Sequence, residues 1–411
     1  MRTWFAIPLW QRVIGALILG VAVGLIWGPG AESIKWIGDF FIRAIRMLVV
    51  PLIFFSLVAG IAAIGDIRKL GAVGGRALVL FVGTGVASVA LGLTLGTLIA
   101  PGAGLALTLP EGVAIPEPAT TSVTDMILAM IPANPVETMA RGDVLPLIVF
   151  ALLFGIGILM AGEEGSLVAR GMDAAAIVMQ RMTVLVMELT PFGVFALMAW
   201  VAGTFGIDAL LPLATLVGLN YLGCLLIIFG IYSAIIHFIG KVRVIDFFRG
   251  MIDAMAVAYS TASSNATLPV TLRCAQRNLG VSRSVSSFVI SLGATINMNG
   301  TAMYLGLATL FGAQIFGVSL DFGDYVMIAI TATLGAIGAA GIPGAGLIMM
   351  GLVFSTVGVP LETIAFVAGV DRIMDMMRTT TNITGDAAVA VAVARMTGDL
   401  DVGEFESADD V

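Results

Sequence analysis

The stretch Asp371-Arg-Ile-Met-Asp-Met-Met-Arg-Thr-Thr-Thr-Asn-Ile-Thr-Gly-Asp386 is a polar stripe in a chain that is 59% hydrophobic and 11% charged. At about 100° per residue, an α-helix gathers Asp371, Asp375, Arg378, Thr379, Asn382 and Asp386 into one arc of roughly 100°. Ile373, Met374, Met377 and Ile383 point elsewhere. One face therefore carries three carboxylates, a guanidinium and two neutral hydrogen-bonding groups. A charge at the centre of a bilayer costs at least ~2.5 kcal/mol. The stripe is expected to face a protein-lined cavity, and that cavity to hold something charged.

The bilayer enters through composition. A soluble domain carries about a quarter charged residues, whereas this chain of 411 residues has a mean hydropathy of +1.06. It reads as a polytopic membrane protein. Cys224 and Cys274 lie in or beside apolar segments and give neither a disulfide framework nor metal-ligand spacing. The single histidine, His237, falls near the end of an apolar run and reads as a helix-end residue. No nucleic-acid partner is expected. The net charge of −7 owes much to the acidic tail Gly398 to Val411, which reads as solvated and disordered. No cleavable signal is expected, because the first apolar run, Val13 to Trp27, is one of many spans.

With about 20 apolar residues per crossing, helices are expected near 8–28, 37–65, 75–101, 123–161 (broken), 166–204 and 207–240. Arg2 and Arg12, then Arg68, Lys69 and Arg76, then Lys241, Arg243 and Arg249 cluster at one set of helix ends. No Lys or Arg occurs from Ala77 to Ala140, where Glu111, Glu117 and Asp125 occupy a Pro-containing loop. Basic loops stay inside, so both termini are expected to be cytoplasmic and that loop external.

Beyond about residue 245 the apolar segments are interrupted. Ser260-Thr-Ala-Ser-Ser-Asn-Ala-Thr-Leu-Pro269 breaks one, and Ala339-Ala-Gly-Ile-Pro-Gly-Ala-Gly346 breaks another. A polar-bearing helix follows each break, with Asn297-Met-Asn-Gly-Thr301 after the first and the 371–386 stripe after the second. Irregular backbone at membrane depth survives only where it is buried in protein or lines a cavity. Two such segments in corresponding positions point to a transporter site built from helical hairpins.

Each constellation has a plainer reading beside it. The stripe would serve as a salt-bridge network between helices, with Asp375 pairing with Arg378, but six polar groups exceed what helix packing needs. The guanidinium of Arg378 offers a planar fork for a carboxylate, and Asp375 suits an ammonium, so the pair would grip both ends of an α-amino acid. Ser263, Ser264, Asn265 and Thr267 read either as a self-satisfied turn or as a hairpin tip receiving a carboxylate, as helix N-termini do. The glycines of Gly341-Ile-Pro-Gly-Ala-Gly346 serve a tight turn or a mobile gate. Asn297 to Thr301 is a helix kink, or an unwound point whose oxygens suit a small hard cation, with Asp386 supplying formal charge. The sequons at Asn265, Asn299 and Asn382 lie inside the membrane block and are set aside.

These four elements in this order resemble the glutamate/aspartate transporter family, the dicarboxylate/amino acid:cation symporters. The resemblance covers nearly the whole chain, including Met47-Leu-Val-Val-Pro-Leu-Ile-Phe54, Ile131-Pro-Ala-Asn-Pro135 and Leu145-Pro-Leu-Ile-Val149, and is most specific at Asp375 to Asp386. It implies an all-α membrane protein of eight transmembrane helices and two re-entrant helical hairpins, with inverted repeats, assembled as a homotrimer in membrane lipid. Helices 1–6 would lie in 1–240, forming the scaffold with part of the transport domain. Residues 241–397 would form the transport-domain core, with hairpins at about 245–278 and 319–355 and a final helix at about 359–397, and 398–411 an acidic cytoplasmic tail.

The same resemblance assigns roles. Arg378 would hold the substrate's side-chain carboxylate and Asp375 its amino group. Asn382 and Thr301 would complete the pocket with tips at Ser264, Ile342 and Gly346, and Thr379 lies beside Arg378. One sodium site would use Asp386 with backbone oxygens at Gly293, Asn297 and Asn382. A second would lie near Thr295, Met298 and Ala339. A third would draw on Thr84 and the position of Asn299. There the family's usual Asn-Met-Asp-Gly-Thr reads Asn-Met-Asn-Gly-Thr, and its neighbouring hydroxyl aligns with Gly85. Losing a carboxylate and a hydroxyl together argues for fewer than three sodium ions, or for a proton taking part. The family's further arginine is absent from both its known places, here Ala262 and Met376.

Relatives for neutral amino acids lack the arginine at 378, and those for plain dicarboxylates lack the acid at 375. The expected function is uptake of aspartate or glutamate coupled to sodium by alternating access, in a prokaryotic plasma membrane. The alternative is a proton-coupled dicarboxylate or glutamate transporter. An ion channel needs no paired Arg/Asp pocket. An intramembrane hydrolase at Ser263 or Ser264 lacks both a nearby base and a G-x-S-x-G frame. The chain is thus expected not to be an enzyme and to need no cofactor beyond cotransported ions.

Overall fold

The final polar helix is the axis on which the rest is built. The computed structural model describes residues 7–62, 73–105, 128, 131–142, 144–339, 341 and 343–407. Among them the chain is nearly all helix, and the one β contact is an isolated bridge between Val281 and Leu400. The first part comprises α1 (Leu9–Trp27), α2 (Lys35–Ala62), α3 (Gly75–Ile99), α4 (Pro135–Arg141), α5 (Val144–Met160), α6 (Ser166–Met187), α7 (Thr190–Phe205) and α8 (Leu210–Leu226). Wider π turns carry α8 on through Ile227–Tyr232 and Ile235–Gly240. The second part comprises α9 (Val244–Thr261), α10 (Ser264–Arg277), α11 (Arg283–Ile296), α12 (Asn299–Phe316), α13 (Phe322–Gly338), α14 (Ala345–Thr356), α15 (Thr363–Thr397) and the short α16 (Val402–Phe405).

Leu9–Ala62, Gly75–Ile99 and Ile207–Gly240 are long and apolar enough to cross a membrane. A fourth such stretch appears if α6 and α7, bent by 48° at a short break, count as one. Glu188 stands at that bend and takes a two-pronged contact from Arg12 of α1, at 2.7 and 3.2 Å. The motif around Asn134 has a local cause. Its side-chain oxygen accepts from the amides of Val136 and Glu137 at 3.0 and 3.3 Å, and Pro135 needs no partner at the first helical position.

The ranges expected for the hairpins are occupied by two helix pairs whose ends lie within a few residues of those expected. α9 packs against α10, and α13 against α14. Their turns differ from the expectation in extent. The first break is confined to Ala262, in a left-handed conformation with φ +50°, and Ser263, whose hydroxyl caps α10 through the amide of Ala266 at 3.2 Å. Pro269 lies inside α10 rather than ending the break, one turn in, where its missing N–H leaves the Asn265 carbonyl without a helical donor. The second break follows Ala339, and Gly344 re-enters helix at φ +79°. Ile342 falls outside the described residues, as do Arg2, Arg68, Lys69 and the acidic loop residues Glu111, Glu117 and Asp125. α13 opens on a reciprocal cap between Asp321 and Asp324, which fixes its start.

α15 packs against α7, α8, α9, α10, α11, α12 and α14. From Thr363 to Ala394 every residue except Ile373 is buried. Its last turns alternate Ala and Val, small side chains that admit neighbours closely on all sides.

The tail corrects the sequence reading. Residues up to 407 are folded rather than disordered, although most of their acids face solvent: the Asp401 amide donates to the Gly280 carbonyl at 2.8 Å and the Ser282 amide to the Asp399 carbonyl at 3.0 Å. Arg249 donates to the Ser407 carbonyl at 2.6 Å, and Phe405 is 1% exposed. One aromatic ring among the acids supplies the apolar area that ties the segment down. Arg76 donates to the Met396 carbonyl, so the start of α3 and the end of α15 share one end of the bundle. Phe405→Ala should destabilise the fold by about 3 kcal/mol or more, read as a lower melting temperature in detergent. A freely solvated tail would give no change.

Candidate functional site

Arg378 is wholly buried and its two terminal nitrogens reach two carboxylates of its own helix. Nη1 donates to Asp371 Oδ1 at 2.8 Å and Nη2 to Asp375 Oδ1 at 2.9 Å. The spacing of seven and three residues puts all three on one side of α15, as the helical arc requires. Tyr304, from α12, donates its hydroxyl to Asp371 Oδ1 at 2.7 Å, and its ring lies 3.7 Å from the guanidinium carbon. The ring face is electron-rich and favours a cation there. Gly346, at the start of α14, packs against both: a Cβ at this position would stand 3.0 Å from Tyr304 Cε1 and 3.1 Å from Arg378 Nη2. Asp375 also accepts from the Gly344 amide at 2.9 Å through its second oxygen. The stripe, expected to face a cavity, is instead closed in by α12, α14 and its own ion pairs.

The hairpin turns meet beside this cluster. Ser263 donates its hydroxyl to the Gly341 carbonyl at 2.9 Å, and the Asn265 amide donates to the same oxygen at 3.0 Å. Ser264 is buried at the first position of α10. Asn382 joins α15 to the start of α12: its oxygen accepts from the Gly300 amide at 2.8 Å, and its nitrogen faces Met298 Sδ at 3.2 Å and Thr301 Oγ1 at 3.4 Å. Thr379 is buried but is not a partner of the guanidinium.

One turn further, Asp386 is 1% exposed and accepts from Asn297 Nδ2 at 2.9 Å. Asn297 and Met298 are the unwound residues between α11 and α12, with ψ of 76° and 55°. Asn297 Oδ1 is buried with no hydrogen-bond partner among the described residues. Gly293 provides the floor, since an added Cβ there would collide with Asp386 Oδ1. The result is a buried carboxylate held by the Asn297 amide nitrogen beside unwound backbone.

Other expected site residues are less tightly gathered. Thr295 is half-buried with its methyl towards Gly60, while Gly341 stands over the neighbouring Ala294 carbonyl and Ala339 ends α13 in a buried position. Thr84 bonds the carbonyls of Leu80 and Phe81 in its own helix. Gly85 does face Asn299, at 3.6 Å from its Oδ1 for an added Cβ, and Asn299 donates to the Tyr232 hydroxyl at 2.9 Å. Sequence reasoning missed Tyr232 and Tyr304. Tyr304 stands three residues after Thr301 on α12, which places the two on neighbouring turns of one face.

With this geometry in place, comparison with known proteins is decisive. Residues 9–396 match the profile of the sodium:dicarboxylate symporter family. The chain belongs to that family. Its relatives include a proton/sodium-glutamate symport protein of Geobacillus stearothermophilus, 33% identical over 399 residues, covering 95% of this chain and 94% of the relative. C4-dicarboxylate transport protein 1 of Mesorhizobium japonicum is 35% identical over 415 residues, covering 99% and 86%. The C4-dicarboxylate transport protein of Bacillus subtilis is 34% identical over 396 residues, covering 95% and 94%. The symporter is therefore a transporter and not an enzyme.

Gly293→Ala in this symporter should push the Asp386 carboxylate off its seat and cost about 1–3 kcal/mol, lowering the melting temperature. Gly351→Ala, whose Cβ meets nothing within 4 Å, should leave it unchanged. Equal melting of both variants would contradict the packing described here.

Proposed function

We propose that this symporter takes up an acidic amino acid, aspartate or glutamate, coupled to sodium ions by alternating access. The observation that carries the reading is Arg378 buried between Asp371 and Asp375 beside both hairpin turns. A buried ion cluster adds little stability over packed apolar side chains, so its worth lies in what it binds. The substrate's side-chain carboxylate takes the Arg378 fork, and its ammonium takes Asp375. Asn382, Thr301, Ser264, Ile342 and Gly346 complete the pocket, with Thr379 at its edge.

Asp375 links binding to gating. Its second oxygen holds the Gly344 amide at the head of α14, where a helix N-terminus favours negative charge. An ammonium drawn to Asp375 competes with that amide and resets the 339–346 turn. Asp386, Asn297, Gly293 and Asn382 form the first sodium site, for which the unpartnered Asn297 oxygen and the adjacent carboxylate are suitable oxygen ligands. Thr295, Met298 and Ala339 form the second. At the third, Thr84 and Asn299 lack the carboxylate that a full site needs. Sodium entering with the anion reverses the electrical penalty of about 2.3 kcal/mol per charge per 100 mV.

The proposed architecture is eight transmembrane helices with α9–α10 and α13–α14 as re-entrant hairpins, in a plasma-membrane homotrimer with both termini cytoplasmic. The transport core (241–397) moves against a scaffold drawn from 1–240. A second reading is proton-coupled dicarboxylate or glutamate uptake. It is favoured by Asn299, whose amide is committed to Tyr232, and by the names of the relatives.

Arg378→Ala should weaken L-aspartate binding to purified protein by about 100-fold or more. Unchanged affinity would refute the pocket. Asp375→Ser should lower affinity for aspartate more than for succinate, whereas equal losses would remove the ammonium role.

A further inference from the structure

A second arginine reaches the same region, and neither the pocket described above nor the ion pairs employ it. Arg372 lies on α15 beside Asp371 and one turn before Asp375, and is 5% exposed. Its Nη2 donates to the Thr261 carbonyl at 3.1 Å. Thr261 ends α9, where the last carbonyls have no partner within the helix, so this nitrogen caps the first hairpin at its turn. Nε and Nη1 are buried with no hydrogen-bond partner among the described residues.

A buried guanidinium with idle donors is costly unless an acceptor arrives. The charges of Asp375 and Asp371 offset part of that cost, yet both carboxylates are committed elsewhere. Asp371 takes Arg378 and Tyr304, and Asp375 takes Arg378 and the Gly344 amide. An anionic acceptor beside the turn that begins at Thr261 would satisfy both idle donors and the charge together.

We propose that Arg372 is a second carboxylate anchor, taking one carboxylate of the substrate while Arg378 takes the other. The inference rests on the substrate reading above but not on the choice between aspartate and succinate, since both carry two carboxylates on a short carbon chain. It makes the site selective for doubly carboxylated ligands through two guanidiniums placed on one helix. Capping Thr261 with the same side chain ties carboxylate capture to the position of the first hairpin.

The test compares Arg372→Gln, Arg372→Met and Arg372→Lys in the full-length purified protein with sodium present, using L-aspartate and succinate as ligands. Gln keeps the apolar stem and an N–H donor but has no charge, and it ends two bonds short of the nitrogen that reaches the Thr261 carbonyl. The expected result is about a tenfold or greater loss of affinity in Arg372→Gln for whichever ligand the wild type binds, larger than any accompanying fall in melting temperature accounts for. Met should lose at least as much, and Lys should fall between Gln and wild type. Wild-type affinity in Arg372→Gln would overturn the anchor and leave only the cap. So would losses of affinity that occur only in step with melting temperature. If the wild type binds neither ligand, the substrate reading falls and the anchor with it; wild-type binding beside an unaffected Gln variant removes the anchor alone.

Discussion

The structure depends on burying one guanidinium. Arg378 has no contact with solvent, and a cation in that position is tolerable only with carboxylates in hydrogen-bond contact. Asp371 and Asp375 must therefore stand on its side of α15, and Tyr304 and Gly346 must come from α12 and α14 to close around it. These demands explain why α15 is surrounded on every side. They also explain why the two interrupted segments, far apart in sequence, bring their turns to the same place.

The two candidate sites share that helix and are joined by its hydrogen bonds. Asp375 and Asp386 are eleven residues apart, about 16 Å along an α-helix. Between them Asn382 holds the start of α12, and the unwound pair Asn297 and Met298 links that start to Asp386. In the proposed mechanism a change at the carboxylate end would be passed through Asn382 and the helix break. Asp375 makes the second connection, to the Gly344 amide and so to the hairpin that would gate the site.

Much of this was legible in the sequence because helical periodicity fixes which side chains share a face. The arc containing Asp371, Asp375 and Arg378 and the break at Asn297 follow from spacing, whereas the hairpin boundaries and the pairing of Gly85 with Asn299 came from the family resemblance. What was not legible came from other elements. Nothing in the spacing of α12 specifies that the Tyr304 ring lies under Arg378, and the π turns that carry Tyr232 to Asn299 leave no periodic signature. The tail was misread for the same reason. Its composition is that of a solvated segment, and only the partners of Phe405 and Leu400 show that it folds back. Arg372 was adjacent to the stripe but outside its arc, so the pattern that singled out the stripe passed over it.

The central claim is that this buried cluster is the seat of an acidic amino acid moved by sodium. The most direct measurement is uptake of labelled L-aspartate into proteoliposomes of purified protein, driven by an inward sodium gradient or by a proton gradient alone, with excess succinate as competitor. Sodium-driven accumulation that resists succinate is the expected result. Uptake driven by protons alone, or abolished by succinate, would contradict it and assign the cluster to a dicarboxylate.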